Sequence, residues 1–170
     1  MRQLCLTSSQ LDTVIQHCLH TAPEEACGLL LGSDARVRDV LPMANIAQDP
    51  EHHYRIADED IARHYPKLIG IYHSHPASEP LPSPTDVREA WSGGTVYLIV
   101  GLRGTHPAYS AWWFEHGRAR PVHIHVDDCP PAEADISPVQ KWVMLISAIM
   151  ALIFLVVLSL YLLPPAPPIP

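Results

Sequence analysis

Between Trp142 and Leu163 the chain reads WVMLISAIMALIFLVVLSLYLL, about 22 residues without a charged side chain. As a helix rising about 1.5 Å per residue, such a run spans about 33 Å, enough for a hydrocarbon core of about 30 Å. Every face of that helix is apolar, which a helix packed on a soluble core does not require. Trp142 and Tyr161 stand near its two ends, where aromatic side chains meet the bilayer interface. The expectation is a single transmembrane helix over 142–163, followed by a Pro-rich tail, PPAPPIP, over 164–170. Residues 1–141 then lie on one side of that span.

Lys141 is the one charge close to either end of the run, and positive charge marks the cytoplasmic side. The amino-terminal MRQLCLTSSQLDTV has no apolar region of the kind a cleaved signal needs. Together these predict a single-pass, tail-anchored membrane protein whose domain faces the cytoplasm. Residues 127–141, beginning DDCPPAEADISPVQ, carry three prolines and no hydrophobic periodicity, and so read as an acidic, Pro-rich linker. Extended at about 3.1 Å per residue, that linker reaches up to about 40 Å. A domain over residues 1–126 remains, long enough for one ordinary core. The formal charge of −7 argues against a polyanion such as nucleic acid as partner. Four cysteines without paired spacing, Cys5, Cys18, Cys27 and Cys129, read as reduced and mostly buried thiols.

Along that domain RQLCL reads as a strand and Ser9 as the N-cap of a helix over about residues 10–20, with Leu11, Val14, Ile15, Cys18 and Leu19 on one face. ACGLLLG and ARVRDVLPMANIA read as strands joined by a turn, and EHHYRIADEDIARHY as a short strand followed by a short helix. KLIGIYHSH is an apolar strand with a polar end, Thr85 to Trp91 is helical, and TVYLIVGL, AYSAWWFEHG and ARPVHIHV are the closing strands. Helices interleaved with mixed strands predict an α/β sandwich.

Chemistry concentrates in YHSHPASEPLPSPTD, residues 72–86. In a strand His73 and His75 project from the same face, about 6.6 Å apart, while Ser74 projects from the other. Pro76 cannot donate to a ladder, which ends the strand and leaves both histidines at an open edge. Ser83, Pro84 and Asp86 fit N-cap, N1 and N3 of a helix. Capping alone explains those three, but a rigid first turn also aims Asp86 toward the histidines. Two histidines and one carboxylate leave the fourth position of a tetrahedral zinc open, as a catalytic site requires. A base for water is still missing, and PEEACGLLLG offers both Glu24 and Glu25.

With these residues in place the chain resembles the JAMM metallopeptidases, the catalytic MPN-plus branch of the JAB/MPN family. Their signature is an upstream glutamate, then His-Ser/Thr-His-Pro, six residues, Ser, two residues and Asp. Here HSHP, ASEPLP and SPTD keep each fixed position and both spacings, and GIYHSHP and YLIV look like the compact prokaryotic members. The likeness runs from about residue 5 to 126. It implies a JAB/MPN-like mixed β-sheet flanked by helices, with one zinc ion per chain held by His73, His75 and Asp86. It further implies Glu25, three residues before Gly28, as the acid–base residue, Glu24 as a solvated neighbour, and Ser83 as a donor to the oxyanion. The implied substrates join the tail of a ubiquitin-like or sulfur-carrier protein through an amide or isopeptide bond, and such a tail is expected to enter as an added strand. Only 18 residues separate Tyr54 from His73, which predicts a short preceding helix. No room exists between Asp86 and TVYLIV for the insertion that ubiquitin-directed members use, which leaves the substrate class open.

Two alternatives belong to the same residues: a non-catalytic MPN-like scaffold that recruits a partner to the membrane, and a hydrolase of small peptides or amino-acid conjugates. Elsewhere the residues favour structure over chemistry. His123 and His125 in VHIHV read as the polar face of an edge strand, and adjacent His52 and His53 as a loop. Trp112, Trp113 and Phe114 read as core and rim, and Cys27 as packing without a histidine partner. SGGT is a turn that lacks the lysine of a phosphate loop.

Overall fold

The strands form where the sequence puts β-branched and aliphatic residues between turn residues, and they pair into one sheet. The computed structural model describes residues 2–91, 94–130 and 137–162. Contacts divide the chain into two compact units, Met1–Pro130 and Pro131–Pro170.

In the first unit the order is β1 (Gln3–Leu6), α1 (Ser8–Thr21), β2 (Cys27–Ser33), β3 (Arg36–Met43), α2 (Asp58–His64), β4 (Leu68–His75), α3 (Pro84–Glu89), β5 (Val96–Gly101), β6 (Ala108–Glu115) and β7 (Arg118–Val126). A single turn of 3₁₀ helix, Tyr65–Lys67, links α2 to β4. The expected sandwich closes on itself: the strands run β1-β3-β2-β4-β5-β6-β7, and β7 returns to β1. That return is parallel, with Cys5 opposite His125, so β7 is not the edge strand anticipated for VHIHV. Closure occurs because β1 lies between β7 and β3, meeting β3 only at Cys5 and Arg36.

β2 and β4 are covered on both faces. Leu30 and Tyr72 pack with Leu11, Val14 and Cys18 of α1 in one cluster. Leu29, Leu31 and Ile71 face the opposite way, with Cys27, Ile56 and Tyr97. The period of two along β4 therefore sends Tyr72 and Ser74 to the α1 side, and Ile71, His73 and His75 to the other. Gly28 is required here, since a Cβ would lie 2.3 Å from Cε1 of Tyr72. The Tyr72 hydroxyl is hydrogen-bonded to His17 Nδ1 at 2.9 Å, which satisfies a buried polar group.

Several local expectations change. Thr7, not Ser9, caps α1: its hydroxyl accepts from the Gln10 amide at 3.2 Å, and the Gln10 side chain accepts from Thr7 N at 2.9 Å. This reciprocal pair is a capping box, which Ser9 has no glutamine or glutamate three residues on to form. No strand forms before α2: the Asn45 side chain donates to His53 O and accepts from Arg55 N, and a single backbone bond, Ile46 N to Arg55 O, takes the place of a ladder. β4 is paired on both flanks, by β2 and by β5, so the histidines stand at the end of a central strand and not at an open edge.

In the second unit α4 spans Pro138–Leu162 and is exposed along its described length. It begins within the anticipated linker because Ser137 and Gln140 form a second capping box, with side-chain bonds of 2.9 and 3.1 Å. Among the described residues one helix, Val139–Leu162, is long and apolar enough to cross a membrane. Residues 131–136 of the anticipated linker, Leu163 and the 164–170 tail lie outside the described residues.

Candidate metal and hydrolytic site

Strand β4 delivers His73 and His75 side by side, and the capped first turn of α3 delivers Asp86 against them. Ser83 Oγ accepts from the Asp86 amide at 3.1 Å, while the Asp86 carboxylate accepts from Ser83 N at 2.7 Å. The cap thus fixes the carboxylate's backbone and one of its oxygens. The two Nε2 atoms lie 3.1 Å apart, His73 Nε2 is 3.3 Å from Asp86 Oδ1, and His75 Nε2 is 3.4 Å from Asp86 Oδ2. All three residues are buried, and together they form a group able to hold a metal ion.

The two His–carboxylate contacts, to different Asp86 oxygens, are longer than a short charge-assisted N–H···O bond of about 2.7–2.9 Å, and the third contact joins two ring nitrogens. Ligands about 2.0–2.1 Å from one tetrahedral zinc stand about 3.3 Å from each other, which the triangle matches. Tautomer evidence agrees for His75, whose Nδ1 donates to the Glu79 carbonyl at 3.2 Å and leaves a lone pair on Nε2. His73 is held differently: its ring stacks on Tyr54 at 4.3 Å and 19°, and its buried Nδ1 has no hydrogen-bond partner among the described residues. The donor set fits zinc.

Electrostatics follow the same geometry. Burial lowers the His73 pKa and outweighs its bond to Asp86, which keeps the ring neutral as a ligand must be. Burial also opposes charge on His75, but the hydrogen bond and charge of Asp86, with Glu25, raise its pKa. Burial alone would raise Asp86; bonds from His73 and His75, then the Ser83 amide, hold it well below the ordinary carboxylate range. Glu25 is 7 % exposed. Its pKa is pushed up to about 7 chiefly by burial, with the Asp86 charge adding to it against the opposing effect of His75. Glu24, by contrast, is exposed.

A cleft of about 640 Å³ opens over the triangle, lined by Glu25, Tyr54, His75, Ser83, Asp86 and Trp91, among others. Its size suits a small ligand or an extended peptide segment. The loop after β4 is pinned by Ser110 Oγ and by Trp112 Nε1, the latter at 3.3 Å, both donating to the Pro80 carbonyl. Gly101 lets this loop approach, since a Cβ there would meet Pro80 N and Ser78 O at 2.7 Å.

Glu25, His73, His75, Ser83 and Asp86 are thus brought together; the His123 and His125 rings face each other 4.5 Å apart, and neither is among the residues that line the cleft. Sequence reasoning missed Tyr54 and the Trp112–Pro80 contact. A tyrosine in an irregular segment and a tryptophan in a strand give no periodic signal of what they touch.

Residues 7–115 match the family model described as prokaryotic homologues of the JAB domain. A desampylase of Haloferax volcanii is 35% identical over 120 residues, covering 63% of this chain and 86% of that protein. A CysO-cysteine peptidase of Mycobacterium tuberculosis is 30% identical over 112 residues, covering 61% of this chain and 76% of that protein. The solution structure of a Desulfitobacterium hafniense protein shares the fold at a TM-score of 0.65 and 24% identity, covering 77% of this chain and 97% of that one.

Proposed function

This chain belongs to the family of prokaryotic homologues of the JAB domain, and we propose that it is a zinc-dependent peptidase or isopeptidase of the JAMM type. Its substrates are conjugates in which the tail of a ubiquitin-like or sulfur-carrier protein is joined through an amide or isopeptide bond. The names of the desampylase and the CysO-cysteine peptidase support that class. The observation that carries the reading is the triangle of two Nε2 atoms and one carboxylate at 3.1, 3.3 and 3.4 Å, with a buried glutamate on the same cleft.

His73, His75 and Asp86 hold the ion. Bound zinc in such a site supplies Lewis acidity, polarising the scissile carbonyl and lowering the pKa of water to about 7. Glu25 accepts a proton from the attacking water as its oxygen bonds to the carbonyl carbon, then returns that proton to the nitrogen as the C–N bond breaks. In the metal-free protein burial pushes this carboxyl up to about 7, and a bound cation would draw it back down, which favours the ionised form that a base for water needs. Ser83 Oγ already accepts from the Asp86 amide, so its own proton is free to point into the cleft and donate to the developing oxyanion. Helix α4 anchors the chain in a membrane, with the catalytic unit on the cytoplasmic side. Its length and apolar composition support this, as does Lys141 in its first turns.

The test uses the full chain in detergent micelles, loaded with zinc, against a folded ubiquitin-like fusion and a short peptide carrying the same bond. Cleavage of the fusion, abolished by chelator and by Glu25→Gln with zinc retained, is the expected result. Retained turnover in Glu25→Gln removes Glu25 from the mechanism. Cleavage of the peptide alone favours the small-peptide hydrolase, and no turnover with zinc bound favours the scaffold. Resistance to carbonate extraction from membranes tests the anchor.

A further inference from the structure

The peptide at Glu25 is held from two sides. On one, the Ala26 amide donates to Ser74 Oγ at 2.8 Å and Ser74 N donates to Ala26 O at 2.9 Å, between the two histidines of β4. On the other stands Asn45, two residues past the end of β3. Its Nδ2 donates to Glu25 O and to His53 O, both at 2.9 Å, with Pro50 O at 3.4 Å. Its Oδ1 accepts from Ala47 N and Arg55 N, both at 3.0 Å. Glu25 N in turn donates to Pro50 O at 2.7 Å, so both polar backbone groups of Glu25 rest on the segment that Asn45 organises.

Two sets of bonds meet in this side chain. The Oδ1 half holds only the loop over residues 45–55, at Ala47 N and Arg55 N. The Nδ2 half holds that loop at His53 O and Pro50 O and is the half that also reaches, 20 positions along the chain, the Glu25 carbonyl. From this we infer that Asn45 is a positioning residue for Glu25, holding the peptide so that the carboxylate faces the His73–His75–Asp86 triangle. The inference rests on Glu25 serving as the acid–base residue of the proposed peptidase.

Asn45→Asp divides the two halves at constant size, because a carboxylate accepts but cannot donate. It keeps partners for Ala47 N and Arg55 N, and sets a repelling oxygen against Glu25 O and the loop carbonyls His53 O and Pro50 O, so the Ala47 and Arg55 amides report whether the loop itself still holds. Asn45→Ala removes both halves. On the full zinc-loaded chain in micelles, Asn45→Asp is expected to keep zinc stoichiometry and KM while kcat falls about 100-fold, the effect of a misplacement of about 1 Å. In the metal-free protein, exchange of the Glu25 amide should accelerate about tenfold or more in Asn45→Asp, with Ala47 and Arg55 still protected; in Asn45→Ala all three accelerate.

An Asn45→Asp protein whose kcat stays within about threefold of wild type overturns the positioning role; should that variant fail to fold, Asn45→Ala carries the same kcat comparison. A wild type that turns over no amide substrate overturns the peptidase reading instead. The exchange measurement then still stands, and unchanged protection of Glu25 in Asn45→Asp overturns the anchoring itself.

Discussion

Replacing Glu25 with glutamine should make the metal-free protein more stable at alkaline pH. The Glu25 carboxyl is buried beside the Asp86 charge, and its pKa rises from an ordinary 4.5 to about 7. A carboxyl raised on folding binds its proton more tightly in the folded state. Its contribution is therefore fully present below pH 4.5 and is lost as pH climbs through about 7. A rise of that size, at 1.36 kcal/mol per unit, is worth roughly 3 kcal/mol by about pH 8.5. Glutamine keeps the shape and carries no charge, so it avoids the loss. Unfolding of the first unit in the chelator-treated full chain, followed by tryptophan fluorescence, should show Glu25→Gln melting about 10 °C above wild type at pH 8.5. The gap should close below pH 4.5, and zinc should shrink it, because a cation beside the ionised carboxylate offsets the penalty. Equal melting at pH 8.5, or a less stable variant, would show that the ionised carboxylate is not carried in a buried site.

Ser83→Ala removes both the α3 cap and the proposed oxyanion donor. It should cost about 1 kcal/mol in thermal stability, and its kcat should fall about 100-fold with zinc content unchanged, read by melting and steady-state kinetics. Tyr54→Leu takes away the stacked ring that orients His73, whose Nδ1 has no hydrogen-bond partner among the described residues. Zinc affinity should fall about tenfold in competition with a chelator dye, the effect of losing a group that orients a ligand.

The ligand positions were legible because chemistry and local structure coincide in one short stretch. A strand alternation sets His73 and His75, and the Ser83–Pro84 cap sets Asp86, so neither depends on distant contacts. Glu25 needed the strand order, which puts Cys27 opposite His73, before it could be preferred over Glu24 on physical grounds. Barrel closure was not legible. It depends on β1 lying parallel to β7, a pairing between opposite ends of the domain that leaves no pattern in either strand. Nor was the segment before α2, where Asn45 takes the place of a strand partner. One side chain supplying five contacts looks, in sequence, like any polar loop residue.

The central claim is that HSHP and SPTD build a zinc site, and metal analysis tests it most directly. The full chain, purified without a histidine tag, should carry about one zinc, as an open three-ligand site binds one ion. His73→Ala, purified identically, should carry almost none while keeping its fold by circular dichroism. Zinc absent from the wild type after reconstitution, or unchanged in His73→Ala, would contradict the account and return Asp86 and Ser83 to the role of a helix cap.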